Sequence, residues 1–151
     1  MVSGYVGNVR IKVIFLDIDG VLDHYKATYI DNRCLNLVKY IVHRTGAKLV
    51  LSSSWKEVVL YPQCCNEIDR EFINHLLVHS GLPFIGTTPD IDEERRELEI
   101  LQWLNNTHHE VESFVILDDL TFGFLEVFPN QFVQTSGFLK NGLTFRQASG
   151  P

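Results

Sequence analysis

The chain has 151 residues, of which 45% are hydrophobic and 21% charged, and its formal net charge at pH 7 is −6. This length supports one hydrophobic core, so we expect a single globular domain over residues 1–151. The net negative charge disfavours a nucleic-acid partner, and no apolar run approaches the roughly 18 residues of a transmembrane helix.

The first part of the chain alternates strand and helix patterns. Apolar runs predict strands over residues 12–16 and 48–51, the second with polar residues only at its ends, as in a strand buried on both faces. Between them, apolar side chains at helical spacing predict a helix that begins after Asp31, its N-cap, and ends at Gly46.

The middle of the chain continues this alternation. We expect an irregular segment through Pro62 and then a helix over residues 68–78. A short strand over residues 83–85, a loop over 87–92 and a helix over 93–105 follow.

The last part of the chain predicts strands over residues 113–117 and 132–135. Thr144, with Gln147 three residues later, resembles a capping box at the start of a helix. Since few residues follow, we expect a longer protein with a further domain beyond Pro151. The whole pattern predicts an α/β fold with a central, mainly parallel sheet flanked by helices.

The cysteines favour a reducing environment. Cys34, Cys64 and Cys65 are odd in number, and adjacent cysteines rarely meet disulfide geometry. We therefore expect a cytoplasmic location.

Polar side chains follow three of the predicted strands. They are Asp17 and Asp19 after the first, Ser52, Ser53 and Ser54 after the second, and Asp118 and Asp119 after the fourth. In an open parallel sheet, ligands bind at the carboxyl ends of the strands, so these groups are expected to converge. Four carboxylates repel one another unless a cation holds them, and Mg²⁺ is the usual choice beside a phosphate.

These motifs resemble those of the haloacid dehalogenase superfamily. An apolar strand followed by Asp-x-Asp-Gly-Val matches residues 17–21, and "LVLS" at 49–52 matches the second motif. "RRELEI" at 95–100 supplies the basic third motif, and "FVILDD" at 114–119 matches the acidic fourth. With "LSSSW", the set is similar to the small domains of this superfamily in RNA-repair and other bacterial proteins, which implies a Rossmann-like fold.

The resemblance implies a phosphatase that works through an aspartyl-phosphate. Asp17 would attack phosphorus, while Asp19 would protonate the leaving oxygen and later deprotonate water. Ser52 and Ser53 would bind the phosphoryl oxygens, and Arg96 would neutralise their charge.

The resemblance also implies Mg²⁺ as cofactor, held by Asp17, the backbone carbonyl of Asp19, and Asp118. Asp119 would serve as a metal ligand or support the ligands from behind, and which of the last two acids touches the metal directly stays open. Gly20 would let the chain turn so that backbone N–H groups face the phosphate.

Two adjacent arginines compete for the third motif. Neighbouring helical positions point about 100° apart, so only one of Arg95 and Arg96 can face the site. The match Arg96-x-x-Glu99-Ile100 favours Arg96.

The spacing leaves no room for a cap domain. The interval from Asp17 to Ser52 is mostly used by a flap and one helix, and the interval from Arg96 to Asp118 by one helix and one strand. Capless members of the superfamily tend to act on phosphate groups carried by macromolecules, so the resemblance implies a phosphorylated protein as substrate.

We expect phosphotyrosine to be the preferred form of that substrate. Four aromatic residues near the motifs could form a wall that accepts an aromatic ring: Tyr25, Tyr29, Phe122 and Phe124. Trp55 and Trp103 are predicted as core or pocket wall, without a catalytic role.

Two other functions remain open. One is a phosphatase acting on nucleic-acid ends, against which the acidic net charge argues. The other is a catalytically silent module that recognises a phosphate, which the intact pair of Asp17 and Asp19 disfavours.

Overall fold

The computed structural model describes residues 9–23 and 30–135. The strands are β1 (Arg10–Leu16), β2 (Lys48–Leu51), β3 (Phe84–Thr87), β4 (Glu110–Asp118) and β5 (Phe132–Gln134). The α-helices are α1 (Asn32–Thr45), α2 (Lys56–Leu60), α3 (Glu67–Asn74), α4 (Arg96–Asn106) and α5 (Phe124–Val127). The strands form one five-stranded sheet in the order β3-β2-β1-β4-β5, and every pair is parallel. The predicted α/β fold is therefore confirmed.

The central strand, β1, is buried on both faces. Val13, Ile14, Phe15 and Leu16 are each at most 1% exposed. Ile14 and Leu16 pack in a core with α1 and α3, whereas Val13 and Phe15 pack in a second core with α4 and α5. This alternation divides the helices between the two faces of the sheet.

Helix α1 has the predicted ends. The Asp31 side chain accepts a hydrogen bond from the Arg33 N–H, which satisfies one of the free donors of the first turn. Gly46 adopts a left-handed conformation, with φ of 70°, and its N–H donates to the Val42 carbonyl.

Two predicted helices have different bounds. The helix predicted from residue 93 begins at Arg96, because the Asp92 side chain binds the Glu94 N–H and the Asp92 carbonyl binds the Arg95 N–H in a separate turn. The helix predicted over residues 68–78 ends at Asn74 and continues as a π-helical turn over His75–His79.

Three short elements were not predicted. Helix α2 and a 3₁₀ turn (Pro62–Cys64) lie in the segment expected to be irregular, and α5 follows β4. Each has five residues or fewer, which is too short for a helical repeat of apolar side chains to be recognised. Strand β4 is longer than predicted at both ends.

The sheet carries no inserted cap domain in its described part. Among the described residues, α1 is the regular element between β1 and β2, and a short turn joins α4 to β4. The predicted capping box at Thr144 and the aromatic residues Tyr25 and Tyr29 lie outside the described residues. Within the described ranges, every helix is too short or too polar to cross a bilayer.

Candidate active site

The predicted site residues follow three neighbouring strands. The Asp17 N–H donates to the Leu117 carbonyl over 3.0 Å, and the Ser52 N–H donates to the Leu16 carbonyl over 2.9 Å. These bonds continue the sheet ladders by one step beyond the strand ends. Asp17 and Ser52 are thereby fixed beside Asp118, the last residue of β4, at the carboxyl edge of the sheet.

Arg96 lies between two of these acids. One guanidinium nitrogen, Nη1, is 3.2 Å from Asp17 Oδ2 and 2.7 Å from Asp118 Oδ2. Arg96 is the first residue of α4 and is buried, whereas the Arg95 side chain is 59% exposed and contacts Glu97. Of the two arginines, the structure brings Arg96 to the acidic cluster.

Phe122 covers Arg96 on its other side. Its ring centroid is 4.6 Å from the guanidinium carbon of Arg96, within the range of a cation–π contact. Phe122 has a left-handed backbone, with φ of 37°, and the next N–H, that of Gly123, donates to the Glu97 carboxylate. Phe124 is fully buried in the core, so it does not belong to the predicted aromatic wall, whereas Phe122 is half-buried and lies over Arg96 beside the site.

Ionisation of the acids around Arg96 is unfavourable without a further cation. Burial, together with the Asp118 carboxylate, raises the pKa of Asp17 well above its usual range, although Arg96 and the neighbouring Ser53 hydroxyl lower it. Burial also raises the pKa of Asp118 to about 6, against the lowering effect of Arg96. The pKa of Asp119 is raised too, mainly by burial. One arginine therefore does not compensate this set of carboxylates.

Three of the carboxylates fit a divalent cation. Asp17, Asp118 and Asp119 each offer one oxygen, and these oxygens lie within 4.8 Å of one another. Mg²⁺ prefers hard oxygen ligands, and these carboxylates, when ionised, carry more negative charge than Arg96 balances. The predicted ligands therefore fit this metal. The Asp19 side chain is not in this group, and its backbone carbonyl remains the predicted ligand.

Ser52 has an unused hydrogen-bonding group. Its hydroxyl oxygen is buried and is the sole buried side-chain polar atom without a partner in the part of the chain that the structure describes. A buried hydroxyl left without a hydrogen bond costs about 1–3 kcal/mol, so this site favours a ligand that completes the bond.

Gly20 is required by shape. Its φ is 81°, and a side-chain carbon there would overlap the Asp119 carboxylate. The Gly20 N–H donates to Asp23 Oδ1 over 2.9 Å, and its carbonyl accepts from the Thr135 hydroxyl. The N–H of Gly20 itself is thus occupied by Asp23, so any backbone N–H groups that this turn offers to a phosphate belong to its other residues.

Asp23 was missed by the sequence analysis. It is 3% exposed, and burial raises its pKa to about 7, with a smaller increase from the neighbouring Asp19 carboxylate. The sequence does contain a signal, since Asp23 is a third acid close behind Asp17 and Asp19.

Trp55 also has a contact that the sequence analysis did not predict. Its indole Nε1–H donates to Asp19 Oδ2 over 3.2 Å. Its ring packs against Phe72 of α3, with centroids 4.7 Å apart. The signal available in the sequence was the position of Trp55 at the end of "LSSSW".

A buried ion pair joins the two segments that carry these residues. Lys56 Nζ at the start of α2 is 2.7 Å from Glu99 Oε1, and both side chains are at most 5% exposed. The other Glu99 oxygen accepts the Ile91 N–H. Glu99 lies one helical turn after Arg96, so the pair fixes α4 against the loop that follows β2.

The fold and the site define a hydrolase of the haloacid dehalogenase type. The chain belongs to the family described as the HAD domain in Swiss Army Knife RNA repair proteins, whose model matches residues 13–148. The match confirms the superfamily predicted from the four motifs. Comparison with curated proteins and with solved structures finds no match.

Stabilisation by Mg²⁺ should increase with pH. The folded, metal-free protein holds the proton of Asp118 more tightly than the unfolded chain does, so the contribution of Asp118 to stability falls as the pH rises from about 4 to about 6. Mg²⁺ competes with these protons, and we expect millimolar Mg²⁺ to raise Tm by several degrees at about pH 7.5 but hardly at about pH 5. Thermal unfolding followed by circular dichroism measures this. Asp119→Asn should reduce the shift, and a shift independent of pH would contradict the carboxylate site.

The ion pair of Lys56 and Glu99 should make a large contribution to stability. Glu99→Gln keeps an acceptor for the Ile91 N–H but leaves a buried ammonium without its carboxylate, so we expect a loss of about 3 kcal/mol. Adding Lys56→Met should restore most of it, as measured by urea unfolding.

The exposed pair of Arg10 and Glu110 offers a matched control for this measurement. Their side chains are 65% and 44% exposed. Glu110→Gln should change the free energy of unfolding by less than about 0.5 kcal/mol. Equal losses for Glu99→Gln and Glu110→Gln would show that burial does not strengthen the first pair.

Proposed function

We propose that the protein is a Mg²⁺-dependent phosphatase that hydrolyses phosphomonoesters through an aspartyl-phosphate on Asp17. The observation that carries this proposal is the buried, unpartnered hydroxyl of Ser52 beside Asp17. A phosphoryl oxygen would accept the missing hydrogen bond. Arg96, already in contact with Asp17, would lie next to the charge that develops on phosphorus.

In the first step, an Asp17 carboxylate oxygen attacks phosphorus and the bond from phosphorus to the leaving oxygen breaks. Asp19 gives its proton to that leaving oxygen. Arg96 favours the ionised form of Asp17, to which bound Mg²⁺ would add, and it neutralises phosphoryl charge. The products are the aspartyl-phosphate and a free alcohol or phenol.

In the second step, a water oxygen attacks phosphorus and Asp19, now ionised, takes the water proton. The bond from phosphorus to Asp17 breaks, and inorganic phosphate leaves. Bound at Asp17, Asp118 and Asp119, Mg²⁺ would neutralise the carboxylates and polarise the phosphoryl group.

The proposed substrate is a phosphorylated protein, with phosphotyrosine preferred. The described chain has no cap over the strand ends, which supports a phosphate displayed on a large molecule. An aromatic surface beside Asp19 is formed by Trp55 and Phe72, both partly exposed. Such a surface suits an aromatic leaving group.

The phosphorylated end of an RNA is a second candidate substrate. The family to which the chain belongs is described from RNA repair proteins, and this description favours it. The net charge of −6 opposes it, because the additional phosphates of an oligonucleotide would be repelled.

The nucleophile is tested by hydrolysis of p-nitrophenyl phosphate. We expect activity that requires Mg²⁺ and falls at least about a thousandfold in Asp17→Asn, because the attacking carboxylate is lost. Equal rates for the two proteins would exclude Asp17 as nucleophile. Absence of activity in both would favour a phosphate-recognition module.

Adjacent serines provide a matched comparison in the same assay. Ser52→Ala should lower kcat by about 10- to 100-fold, because a donor to the phosphoryl oxygen is removed. Ser54 is exposed, and Ser54→Ala should change the rate less than about twofold. Similar effects of both changes would contradict the role of Ser52.

Substrate choice is tested with phosphotyrosyl and phosphoseryl peptides and with oligoribonucleotides phosphorylated at the 5′ or 3′ end. We expect the highest kcat/KM for the phosphotyrosyl peptide, with its advantage over the oligonucleotides largest at low ionic strength, where repulsion is least screened. Faster turnover of an oligonucleotide would establish the second candidate. Equal turnover of the two peptides would remove the preference for phosphotyrosine.

A further inference from the structure

We infer that Trp55 is a positioning residue, which holds the proton-transferring carboxylate of Asp19 in place through its indole N–H. The inference rests on the proposed function, in which Asp19 is the general acid. Asp19 is exposed, unlike Asp17, and a free aspartate side chain there would sample several rotamers. The 3.2 Å bond from Trp55 Nε1 selects one orientation of Asp19.

Trp55 can do this because its own position is fixed. It directly precedes α2, and its backbone N–H donates to the Ser53 hydroxyl over 3.3 Å while its carbonyl accepts the Val58 N–H. On one side its ring packs on Phe72 of α3. Backbone and ring are thus both held by regular elements, which is the requirement for precise placement of a functional group.

The turn that carries Trp55 faces the first motif residue by residue. Ser53 lies beside Asp17, and Trp55 bonds Asp19, so positions two apart in one segment meet positions two apart in the other. Ser52, with its free hydroxyl, begins the same turn. A single four-residue segment therefore supplies the proposed phosphate donor, Ser52, and contacts both Asp17, the proposed nucleophile, and Asp19, the proposed general acid.

The hydrogen bond has a defined chemical consequence. Trp55 binds Asp19 Oδ2, and the Asp23 carboxyl lies next to the same carboxylate. In the proposed step, the other Asp19 oxygen, Oδ1, would exchange the proton with the leaving oxygen. When Asp19 gives up its proton, the indole N–H stabilises the carboxylate that forms. This help matters most for leaving groups of high pKa, which need the proton as their bond to phosphorus breaks, and little for those that leave easily as anions.

The test compares two substrates in wild type and Trp55→Phe, in the presence of Mg²⁺. For an alkyl phosphate, kcat/KM should fall about 10- to 100-fold. This is less than the full effect of general acid catalysis, because Asp19 is still present and only its positioning is lost. For p-nitrophenyl phosphate, kcat/KM should fall less than about threefold, because nitrophenolate leaves without a proton and phenylalanine keeps an aromatic ring at the surface proposed to accept the leaving group. Equal falls on both substrates would assign Trp55 a packing role and overturn the inference.

Further variants separate the hydrogen bond from the packing. Replacing Trp55 by benzothienylalanine keeps the shape of the ring and removes only the N–H, and it should reproduce the leaving-group dependence. In a protein that already carries Asp19→Asn, adding Trp55→Phe should not change how kcat/KM depends on the leaving group, since Trp55 acts through Asp19. The other tryptophan of the chain, Trp103, packs on Phe15. The control variant Trp103→Phe should lower kcat/KM equally for both substrates or leave it unchanged.

A spectroscopic measurement is independent of turnover. With two tryptophans in the chain, the indole N–H groups give two assignable NMR signals. Asp19→Asn should shift the Trp55 signal and leave the Trp103 signal in place, whereas an unchanged Trp55 signal would exclude the hydrogen bond. If Asp17→Asn retains full activity, the proposed function fails. If Asp17→Asn is inactive and Trp55→Phe shows no leaving-group dependence, only the inference fails.

Discussion

One guanidinium holds the carboxyl edge of this sheet together. Arg96 contacts the carboxylates of Asp17 and Asp118, which end adjacent strands and are almost fully buried. Although burial lowers the pKa of Arg96, these two acids raise it above its usual value, so the cation is firmly retained. Without it, two buried carboxylates whose oxygens lie within 4.8 Å of each other would have no cation beside them, at a cost of several kcal/mol.

The surrounding structure serves to keep that cation in place. The Phe122 ring covers one side of the guanidinium. The Glu97 carboxylate accepts the N–H of Gly123, the residue after Phe122, and so holds the turn that carries this ring. One helical turn later, Glu99 ties the same helix to Lys56. Helix α4, which carries Arg96, is thus held at Glu97 and at Glu99. These two contacts join it to segments that are far away in the sequence.

Much of the sheet could be predicted because its signal is local. The apolar runs of β1 and β2 are uninterrupted, and α1 has an N-capping aspartate and a C-terminal glycine. The residues at the strand ends were found because a parallel sheet places them along one edge, whatever the side chains between them.

The parts that were not predicted depend on distant contacts or on very short segments. The bond from Trp55 to Asp19 spans 36 positions, and the ion pair of Lys56 with Glu99 spans 43. No periodicity or spacing encodes such a pairing. Helix α5 is only four residues long, and the identity of Phe124 as a core residue follows from its packing on β5 and not from its place beside a motif.

The turn from Ser52 to Trp55 has a consequence for how such a domain can vary. Since its residues meet the first motif in register, inserting or deleting one residue would rotate the following side chains away from their partners. A single substitution in this turn changes one side chain, whereas a change in the length of the turn would disrupt several contacts at once. We therefore expect natural variation among related chains to alter the loops on either side of this turn and to leave its length unchanged.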